Sequence, residues 1–261
     1  MHYYKFDGAG NDFVLIDIRH HDPNLTTEQI AHICHRRFGV GADGLMTLGV
    51  APEGIDFEMK YYNSDGRLGS MCGNGGRCIA MFAHMLGLGC NGHLDFVGYD
   101  GLHDADIIEW DSEKRKGIVD LGMRDIPVGE IRKCLDGRFL DTGSPHYVQY
   151  VNNLDCFDVF QEGRRIRNIK EEFPQGTNVD FVEELPDGSL KVRTYERGVE
   201  DETWACGTGV TACALVTGKT IIHAKGGDFS VRYNRSAEKY EKIRLIGPVS
   251  CNFEFDMDVN V

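Results

Sequence analysis

The chain contains Met71-Cys72-Gly73-Asn74-Gly75 and, 134 positions later, Ala205-Cys206-Gly207-Thr208-Gly209. Three further pairs of segments match in the same order at offsets of 133 to 135 residues. Because this offset is about half of the 261 residues, the sequence predicts two similar domains that arose by internal duplication. The further pairs are Lys60-Tyr61-Tyr62-Asn63 with Thr194-Tyr195-Glu196-Arg197, Gly41-Ala42-Asp43 with Gly176-Thr177-Asn178, and Gly10-Asn11-Asp12-Phe13-Val14 with Gly143-Ser144-Pro145-His146-Tyr147.

Each half is predicted to wrap strands around one central helix whose N-terminus carries a Cys-Gly pair. In the first half, the apolar residues of 79–86 recur at the i, i+3, i+4, i+7 spacing of a helix. In the second half, residues 208–216 are apolar nearly all round, which predicts a buried helix. A third helix is predicted over 27–37, with Thr26 and Gln29 forming a capping box. Strands are predicted at 13–16, 57–62, 106–110, 117–121, 147–151, 179–183, 190–195, 229–232, 242–245 and 253–255.

The composition excludes several classes of partner. The net charge of −13 repels phosphate backbones, so no nucleic acid is expected. No stretch approaches the roughly 18 apolar residues of a membrane span, and the N-terminus lacks the apolar core of a signal peptide. The nine cysteines are odd in number and form no Cys-x-x-Cys pair, which indicates free thiols in a reducing cytoplasm. Neither a metal nor a cofactor is expected, and a homodimer is left open.

The two Cys-Gly helix starts indicate proton-transfer chemistry. The exposed N–H groups of a helix start favour a thiolate, so a lowered cysteine pKa is expected there. They can also hold a carboxylate, and the following glycine lets a ligand approach the backbone. Inverting an amino-acid α-carbon without a cofactor requires a base on one face and an acid on the other. Cys72 and Cys206 are therefore predicted to face each other across a domain cleft, with N–H groups near Asn74 and Thr208 stabilising the developing charge.

Other residues have plainer interpretations. The seven remaining cysteines are expected to be small buried side chains. Residues 39–44, Gly-Val-Gly-Ala-Asp-Gly, satisfy a dinucleotide-binding pattern but follow a helix and precede a strand, the reverse of the required order. A helix cap and turn are expected there instead. A functional role for His146 is favoured because the repeat places it opposite the segment that contains Asn11.

On these residues, the sequence resembles the diaminopimelate epimerase family. The resemblance implies an α+β fold of two similar domains, each a mixed β-barrel wrapped around a central α-helix, with the active site in the cleft between them. It implies domains at 1–116, together with a returning C-terminal strand at 250–261, and at 117–249. It also implies interconversion of LL- and meso-2,6-diaminopimelate without pyridoxal phosphate, for lysine and peptidoglycan synthesis. The matching segments are 6–13, 36–44, 63–66, 71–78, 176–179, 195–198 and 203–209.

The resemblance implies a role for each matching residue. Cys72 and Cys206 match the acid and base. Residues matching positions that hold the substrate are Asn11, Asn63, Asn178, Glu196 and Arg197, and those around its reacting carboxylate are Gly73, Asn74, Gly207 and Thr208. His146 and Glu196 match positions that tune the thiols.

The sequence departs from the family at a few positions. Ser144 stands where many members have asparagine, Gly44 stands where many have glutamine, and the loop 199–202 is longer and more acidic. Proline racemases, which usually carry histidine where Asn74 stands, and phenazine-pathway isomerases, which lack the cysteine pair, are alternatives of the same expected fold. A non-catalytic module that binds an amino acid or anion, and a metal-binding protein, are alternatives from other classes.

Overall fold

The computed structural model describes residues 1–69 and 72–258. The chain divides into two compact units. The first consists of Met1–Leu121 together with Gly247–Val261, and the second consists of Gly122–Ile246. No helix in the described part of the chain is both long and apolar enough to cross a membrane.

The first unit is a mixed barrel. Its elements are β1 His2–Gly8, β2 Asn11–Asp17, α1 Thr27–Cys34, β3 Gly44–Gly49, β4 Phe57–Asn63, α2 Gly73–Met85, β5 His93–Gly98, β6 Gly101–Asp111, β7 Lys116–Gly122 and the end of β17 Lys239–Asp256. Consecutive strands pair from β1 to β7, and β17 pairs with both β7 and β1, which closes the ring. The pairs β2–β3 and β4–β5 are parallel, and the others are antiparallel.

The second unit repeats this order of pairings. Its elements are β8 Ile126–Pro127, β9 Arg132–Cys134, β10 Gly137–Asp141, β11 Pro145–Tyr150, α3 Val159–Arg167, β12 Asn178–Glu184, β13 Leu190–Glu196, β14 Asp201–Thr203, α4 Gly207–Thr217, β15 Ile221–Ala224, β16 Gly227–Arg235 and the start of β17. The pairs β11–β12 and β13–β15 are parallel, and β9–β10, β10–β11, β12–β13, β15–β16, β16–β17 and β17–β8 are antiparallel. The short β8 and β9 take the place that the end of β17 has in the first unit. The predicted duplication is therefore confirmed at the level of topology.

Each parallel pair requires a crossover connection, and a helix supplies it. In the first unit, α1 joins β2 to β3 and α2 joins β4 to β5. In the second, α3 joins β11 to β12, and α4 lies between β13 and β15.

The two central helices are enclosed by their barrels, as predicted. The first eleven residues of α2, Gly73–Ala83, are all buried, and α2 packs against β1, β2, β3, β4 and β6. In α4, Gly207 and Gly209–Leu215 are buried against β10–β13, β15 and β16. A helix that is surrounded on every side needs apolar or small residues on every side, which the sequence of α4 supplies.

The outer helices differ from the prediction. The capping box of Thr26 and Gln29 is present, but α1 ends at Cys34 because His35 adopts an extended backbone. A Cβ on Gly39 would lie 1.9 Å from the carbonyl oxygen of His32, so close packing explains this glycine. The helix α3 was not predicted, because only Val159, Gly163 and Ile166 are buried in an otherwise polar segment.

Two further expectations need correction. The strands predicted at 242–245 and 253–255 are one strand, β17, which runs from the second unit into the first. The predicted domain boundaries after residues 116 and 249 lie within about five residues of the limits of the compact units, which follow Leu121 and Ile246. Cys90 and Cys156 are exposed rather than buried, since Cys90 lies in an isolated β-bridge with His93 and Cys156 ends a short 3-10 helix at the surface.

Gly163 is a test of how tightly α3 packs. A Cβ at this position would lie 2.3 Å from the Cβ of Tyr195 on β13. Alanine is favoured over glycine inside a helix by roughly 1 kcal/mol, but an approach as close as 2.3 Å places the cost of overpacking at about 2–3 kcal/mol, the upper part of its usual range. We expect Gly163→Ala to lower the free energy of unfolding by about 1–2 kcal/mol in urea denaturation. Gly129→Ala is the control, since no described atom lies within 4 Å of its Cβ, and equal stability of the two variants would contradict the packing.

The ion pairs of Asp12 are expected to make the free energy of unfolding of the first unit sensitive to acid. The carboxylate of Asp12 accepts from Lys5 Nζ at 2.6 Å and from Arg36 at 2.7 Å. Burial raises the pKa of Asp12, but the hydrogen bonds and charges of Arg36 and Lys5 outweigh it and lower the pKa from 3.8 to about 2. Because the folded-state pKa lies below the unfolded one, the ionised carboxylate stabilises the fold above about pH 4, and this contribution is lost as the pH falls towards 2.

The lowered pKa corresponds to about 2 kcal/mol. We therefore expect the free energy of unfolding of the wild-type protein to fall more steeply between about pH 4 and pH 2 than that of Asp12→Asn. Urea denaturation across this range measures both slopes, with the exposed Glu53→Gln as a control in the same unit. Parallel curves for wild type and Asp12→Asn would show that the ion pairs do not stabilise the fold.

Candidate active site

Cys72 immediately precedes the central helix of the first unit. It is the half-buried N-cap of α2, with an extended backbone at φ −114° and ψ 124°. Its S–H donates to Oδ1 of Asn11, with a distance of 3.6 Å between sulfur and oxygen. The same oxygen accepts from Nδ2 of Asn74 at 3.3 Å. The structure therefore brings together Cys72, Asn11 and Asn74 of the predicted site.

The amide of Asn11 is oriented by an acidic side chain that the sequence analysis did not select. Asn11 Nδ2 donates to Asp43 Oδ2 at 2.6 Å, and Arg36 pairs with the other oxygen of Asp43 at 2.6 Å. Because the NH2 group faces Asp43, the carbonyl oxygen of Asn11 is directed at Cys72 and Asn74. The match between Gly41-Ala42-Asp43 and Gly176-Thr177-Asn178 was the available signal for Asp43.

Two other predicted residues of the first unit have different surroundings. Gly73 is buried in the first turn of α2, with its backbone next to the Cys72 thiol. Asn63 is exposed at the end of β4, and its side chain donates to the carbonyl oxygen of Arg67 at 3.5 Å. Asn63 thus lies at the surface, where β4 leads into a turn.

Cys206 holds the corresponding place before the central helix of the second unit. It is the N-cap of α4, with φ −116° and ψ 111°, and only 8% of its surface is exposed. Its Sγ lies 3.3 Å from Oγ1 of Thr208 in the first turn. Thr208 Oγ1 in turn lies 2.9 Å from Nε2 of His146, so the structure brings together three predicted residues.

The expected lowering of the cysteine pKa is wrong for Cys206. Burial raises the pKa of this thiol well above its ordinary value, and the negative charges of Glu196 and Asp180 raise it further. The hydroxyl of Thr208 and the N–H of Gly209 lower it, but they do not compensate. The helix start alone was therefore an incomplete basis for the prediction. At neutral pH, Cys206 is a thiol and can serve as a proton donor.

Asn178 and Arg197 are held together in the second unit. Oδ1 of the buried Asn178 accepts from the backbone N–H of Arg197 at 2.8 Å. The Arg197 side chain is half-buried and donates to the carbonyl oxygen of Gln175 at 3.5 Å. The loop beyond Arg197 is held by Arg167, which pairs with Glu200 at 2.7 Å.

Glu196 ends β13, directly before Arg197. It is half-buried, and its charge contributes to the raised pKa of Cys206, which supports the tuning role implied by the family resemblance. Gly207 is buried in the first turn of α4, in the position that Gly73 has in α2.

The two units use related but different groups around their cysteines. The repeat relates Asn11, Asp43 and Asn74 to Ser144, Asn178 and Thr208. Asn11 hydrogen-bonds to Asp43 and Asn74, and Ser144 likewise hydrogen-bonds to Asn178 at 3.3 Å and to Thr208 at 3.0 Å. The duplication therefore extends from topology to hydrogen bonding, although the side chains have changed.

The described residues offer no group of three or more histidine, cysteine or carboxylate side chains placed to hold a metal ion. A cavity of 310 Å³ lies beside α1 in the first unit, lined by residues that include Pro23, Leu25, Lys60 and Tyr62. It lies away from Cys72 and has no part in the site described above.

Known proteins resemble this chain over nearly its whole length. The family model described as diaminopimelate epimerase matches residues 3–124 and 138–243. The diaminopimelate epimerase of Flavobacterium psychrophilum is 43% identical over 263 residues, covering 97% of this chain and 99% of the relative. That of Chlorobaculum tepidum is 45% identical over 251 residues, covering 92% and 95%.

Solved structures of more distant proteins share the fold. A phenazine biosynthesis protein of the PhzF family from Bacillus anthracis superposes with a TM-score of 0.70 at 14% identity, covering 99% of both chains. A probable proline racemase from Agrobacterium radiobacter K84 has a TM-score of 0.70 at 14% identity, covering 99% of this chain and 93% of its own. The two alternatives considered from sequence are thus relatives in fold alone. The match of the family model and the sequence identity over nearly the whole length show that this chain belongs to the diaminopimelate epimerase family.

Proposed function

We propose that the chain interconverts LL- and meso-2,6-diaminopimelate by cofactor-independent proton transfer between two cysteines, for lysine and peptidoglycan synthesis. One observation, made in both units, carries the proposal. A cysteine precedes the enclosed helix of each unit, and its side chain contacts a network of hydrogen-bonded polar groups. The identity with named epimerases over nearly the whole chain supports the choice of substrate.

The mechanism needs one thiolate and one thiol that reach the same α-carbon from opposite faces. The thiolate removes the α-proton, and the electron pair left on carbon is delocalised into the carboxylate. The opposite thiol then delivers its proton to the other face, so the number of protons is conserved and the two cysteines exchange states. With its raised pKa, Cys206 serves as the acid when Cys72 is the base. The reverse reaction starts with Cys206 as the thiolate and Cys72 as the thiol.

The helix starts supply the electrostatic part of the mechanism. The first N–H groups of a helix have no acceptor within the helix, so those of α2 and α4 are suited to bind the substrate carboxylate. Gly73, Asn74, Gly207 and Thr208 lie in these first turns. Hydrogen bonds to an oxyanion that strengthen as charge develops commonly lower a barrier by about 3–4 kcal/mol.

Arg197 and its neighbours are proposed to read the distal end of the substrate, which carries a second ammonium and carboxylate. A guanidinium can grip a carboxylate through two parallel hydrogen bonds. Glu196 provides a negative charge for the ammonium, and Asn63 and Asn178 provide amides. Asn178 already fixes the backbone of Arg197, which orients the side chain.

We also propose a cytoplasmic location, since all nine cysteines are free thiols and such a set persists in a reducing compartment. A homodimer stays a prediction.

The proposal is tested by proton exchange. Wild-type protein incubated with LL-diaminopimelate in heavy water should produce the meso form with deuterium at the inverted α-carbon, as followed by NMR and chiral chromatography. Cys72→Ala and Cys206→Ala should each abolish inversion, because neither thiol can serve both faces. The loss should exceed the roughly 10²–10⁴-fold effect of removing one general acid or base that water can replace.

Cys90→Ala and Cys156→Ala are matched controls, because each removes an exposed thiol from one of the two units. They should keep wild-type activity. If either Cys72→Ala or Cys206→Ala retained more than a few per cent of the wild-type rate, the two-base mechanism would be wrong.

Arg197→Lys tests the recognition of the distal carboxylate. Lysine keeps the charge but loses the planar pair of donors, so kcat/KM for diaminopimelate should fall on the order of 10²-fold. The exposed Arg138→Lys on β10 is the control and should have no effect. Lysine, proline and glutamate should not be racemised by the wild-type protein, because the groups that read the distal ammonium and carboxylate would be left unpaired. Racemisation of proline at the rate of diaminopimelate would contradict the substrate assignment.

A further inference from the structure

The resemblance assigns His146 of the second unit to tuning the thiols, but it does not assign the buried carboxylate of Asp180 that pairs with its ring. The side chains of Asp180 and His146 are completely buried, and Nδ1 of His146 lies 2.8 Å from Oδ2 of Asp180. The other carboxylate oxygen accepts from the hydroxyl of Thr194 at 2.7 Å. Because a carboxylate only accepts hydrogen bonds, Nδ1 of the ring carries the hydrogen.

The opposite nitrogen of His146 is then identified as an acceptor by a neighbouring amide. The backbone N–H of Arg197 donates to Oδ1 of Asn178, which fixes the orientation of that amide. Its Nδ2 consequently faces Nε2 of His146 at 3.3 Å. Since an NH2 group only donates, Nε2 presents a lone pair and the ring is the neutral Nδ1–H tautomer.

Two hydroxyl groups compete for this lone pair. Oγ of Ser144 and Oγ1 of Thr208 each lie 2.9 Å from Nε2, and they lie 3.0 Å from each other. Because Nε2 has a single lone pair, only one of the two hydroxyls can donate a well-aligned hydrogen bond to it at a time. Thr208 Oγ1 is also the group that lies 3.3 Å from the sulfur of Cys206.

This arrangement satisfies both protonation states of Cys206. When Cys206 is a thiol, its S–H points to Thr208, and the hydroxyl of Thr208 donates to Nε2. When Cys206 is a thiolate, Thr208 turns its hydrogen to the sulfur, and Ser144 takes over the hydrogen bond to Nε2. The change between the two states requires only that the hydroxyl groups of Thr208 and Ser144 rotate. The only proton that moves between heavy atoms is the one that Cys206 loses or gains.

The packing around the pair is tight. A Cβ on Gly209 of α4 would lie 2.6 Å from Oδ1 of Asp180 and 3.1 Å from Cε1 of His146. The pair is therefore held directly against the helix turn that carries Thr208. Glycine at 209 is what allows this approach.

We propose that Asp180 and Ser144 are positioning residues for Cys206. Asp180 holds His146 as a hydrogen-bond acceptor, and Ser144 provides the second hydroxyl that lets Thr208 switch between accepting from the thiol and donating to the thiolate. The expected effect of Asp180 and Ser144 on turnover rests on the proposed function. The tautomer of His146 and the reactivity of the Cys206 thiol can be measured independently of that function.

The tautomer is tested directly by long-range ¹H–¹⁵N NMR at about pH 7.5, where most solvent-exposed imidazoles are neutral. The His146 signals are assigned by their loss in His146→Gln. Wild-type His146 should show a protonated Nδ1 and an unprotonated Nε2. In Asp180→Asn, the amide can turn its NH2 group to Nδ1, and the Nε2–H tautomer should become populated. A wild-type ring that is protonated at Nε2 would overturn the proposal.

Asp228→Asn is the matched control. Asp228 pairs with Nδ1 of His223 at 2.7 Å in the same unit, but its side chain is 79% exposed. This variant should leave the His146 spectrum and the activity unchanged. Asp180→Asn should lower kcat at least tenfold with KM changed less than threefold, because a positioning residue does not touch the substrate.

Ser144→Ala tests the second hydroxyl without disturbing the buried charge. Removing it leaves Nε2 without a hydroxyl donor whenever Thr208 donates to the thiolate. The alkylation of Cys206 by iodoacetamide, quantified by mass spectrometry between pH 6 and pH 10, should therefore be about fivefold slower at a given pH, the worth of one hydrogen bond. Ser144→Thr should restore the wild-type rate.

The outcomes separate the two proposals. If Ser144→Ala alkylates like wild type, or if Asp180→Asn leaves both the tautomer and kcat unchanged, the positioning roles are wrong. The wild-type spectrum and Ser144→Ala decide this even if Asp180→Asn does not fold. If the wild-type protein shows the expected tautomer but does not epimerise diaminopimelate, the proposed function fails and the network remains.

Discussion

A helix enclosed by a ring of strands has no side that faces water, and this constraint governs both units. Along such a helix, most residues are small or apolar, and a buried polar side chain must find its partners inside the barrel, as Arg77 of α2 does by donating to the carbonyl oxygen of Gly73 and to Oδ1 of Asn74. The hydrogen bonds within the helix satisfy its backbone polar groups. The exception is the N-terminus, where the first N–H groups lack acceptors inside the helix. The start of α2 and the start of α4 are therefore the places inside each barrel where polar chemistry is both needed and possible. Cys72 and Cys206 occupy these places.

The surroundings of the two helix starts show how far the duplicated halves have diverged. In the first unit, Asp43 orients the amide of Asn11, which accepts a hydrogen bond from the thiol of Cys72. Asp43 belongs to a charged cluster with Arg36, Asp12 and Lys5. In the second unit, the thiol of Cys206 contacts the hydroxyl of Thr208, and the buried pair of His146 and Asp180 orients that hydroxyl. When Cys72 loses its proton, the fixed amide oxygen of Asn11 has no hydrogen to donate to the thiolate. When Cys206 loses its proton, the hydroxyl of Thr208 can rotate and donate to the thiolate. A reversible epimerase uses each cysteine in both states, so this difference bears directly on its two half-reactions.

The electrostatics of Cys206 show that no single feature determines a thiol pKa. The helix start and the hydroxyl of Thr208 favour the thiolate, whereas burial and the carboxylates of Glu196 and Asp180 favour the thiol. Burial is the largest of these effects, and it makes Cys206 an acid at neutral pH. A high pKa also makes the corresponding thiolate a strong base, which suits removal of a weakly acidic α-proton. The net charge of −13 adds to the need for local donors around an anionic substrate.

The sequence by itself determined the duplication, the two central helices and the cysteines that start them. These are local signals, because the repeat, the helical spacing and the capping box of Thr26 and Gln29 are all read from neighbouring residues. The repeat also contained the unpredicted helix α3, since α1 at Thr27–Cys34 shifted by 133 residues falls within Val159–Arg167. Only the tertiary structure decided that β17 is one strand, that the thiol of Cys206 is a weak acid, and that Asp180 contacts His146. Asp180 and His146 are 34 residues apart and meet because β11 and β12 pair in parallel with His146 opposite Asn178. Such contacts depend on strand register and on burial, and neither is encoded in the spacing of residues along the chain.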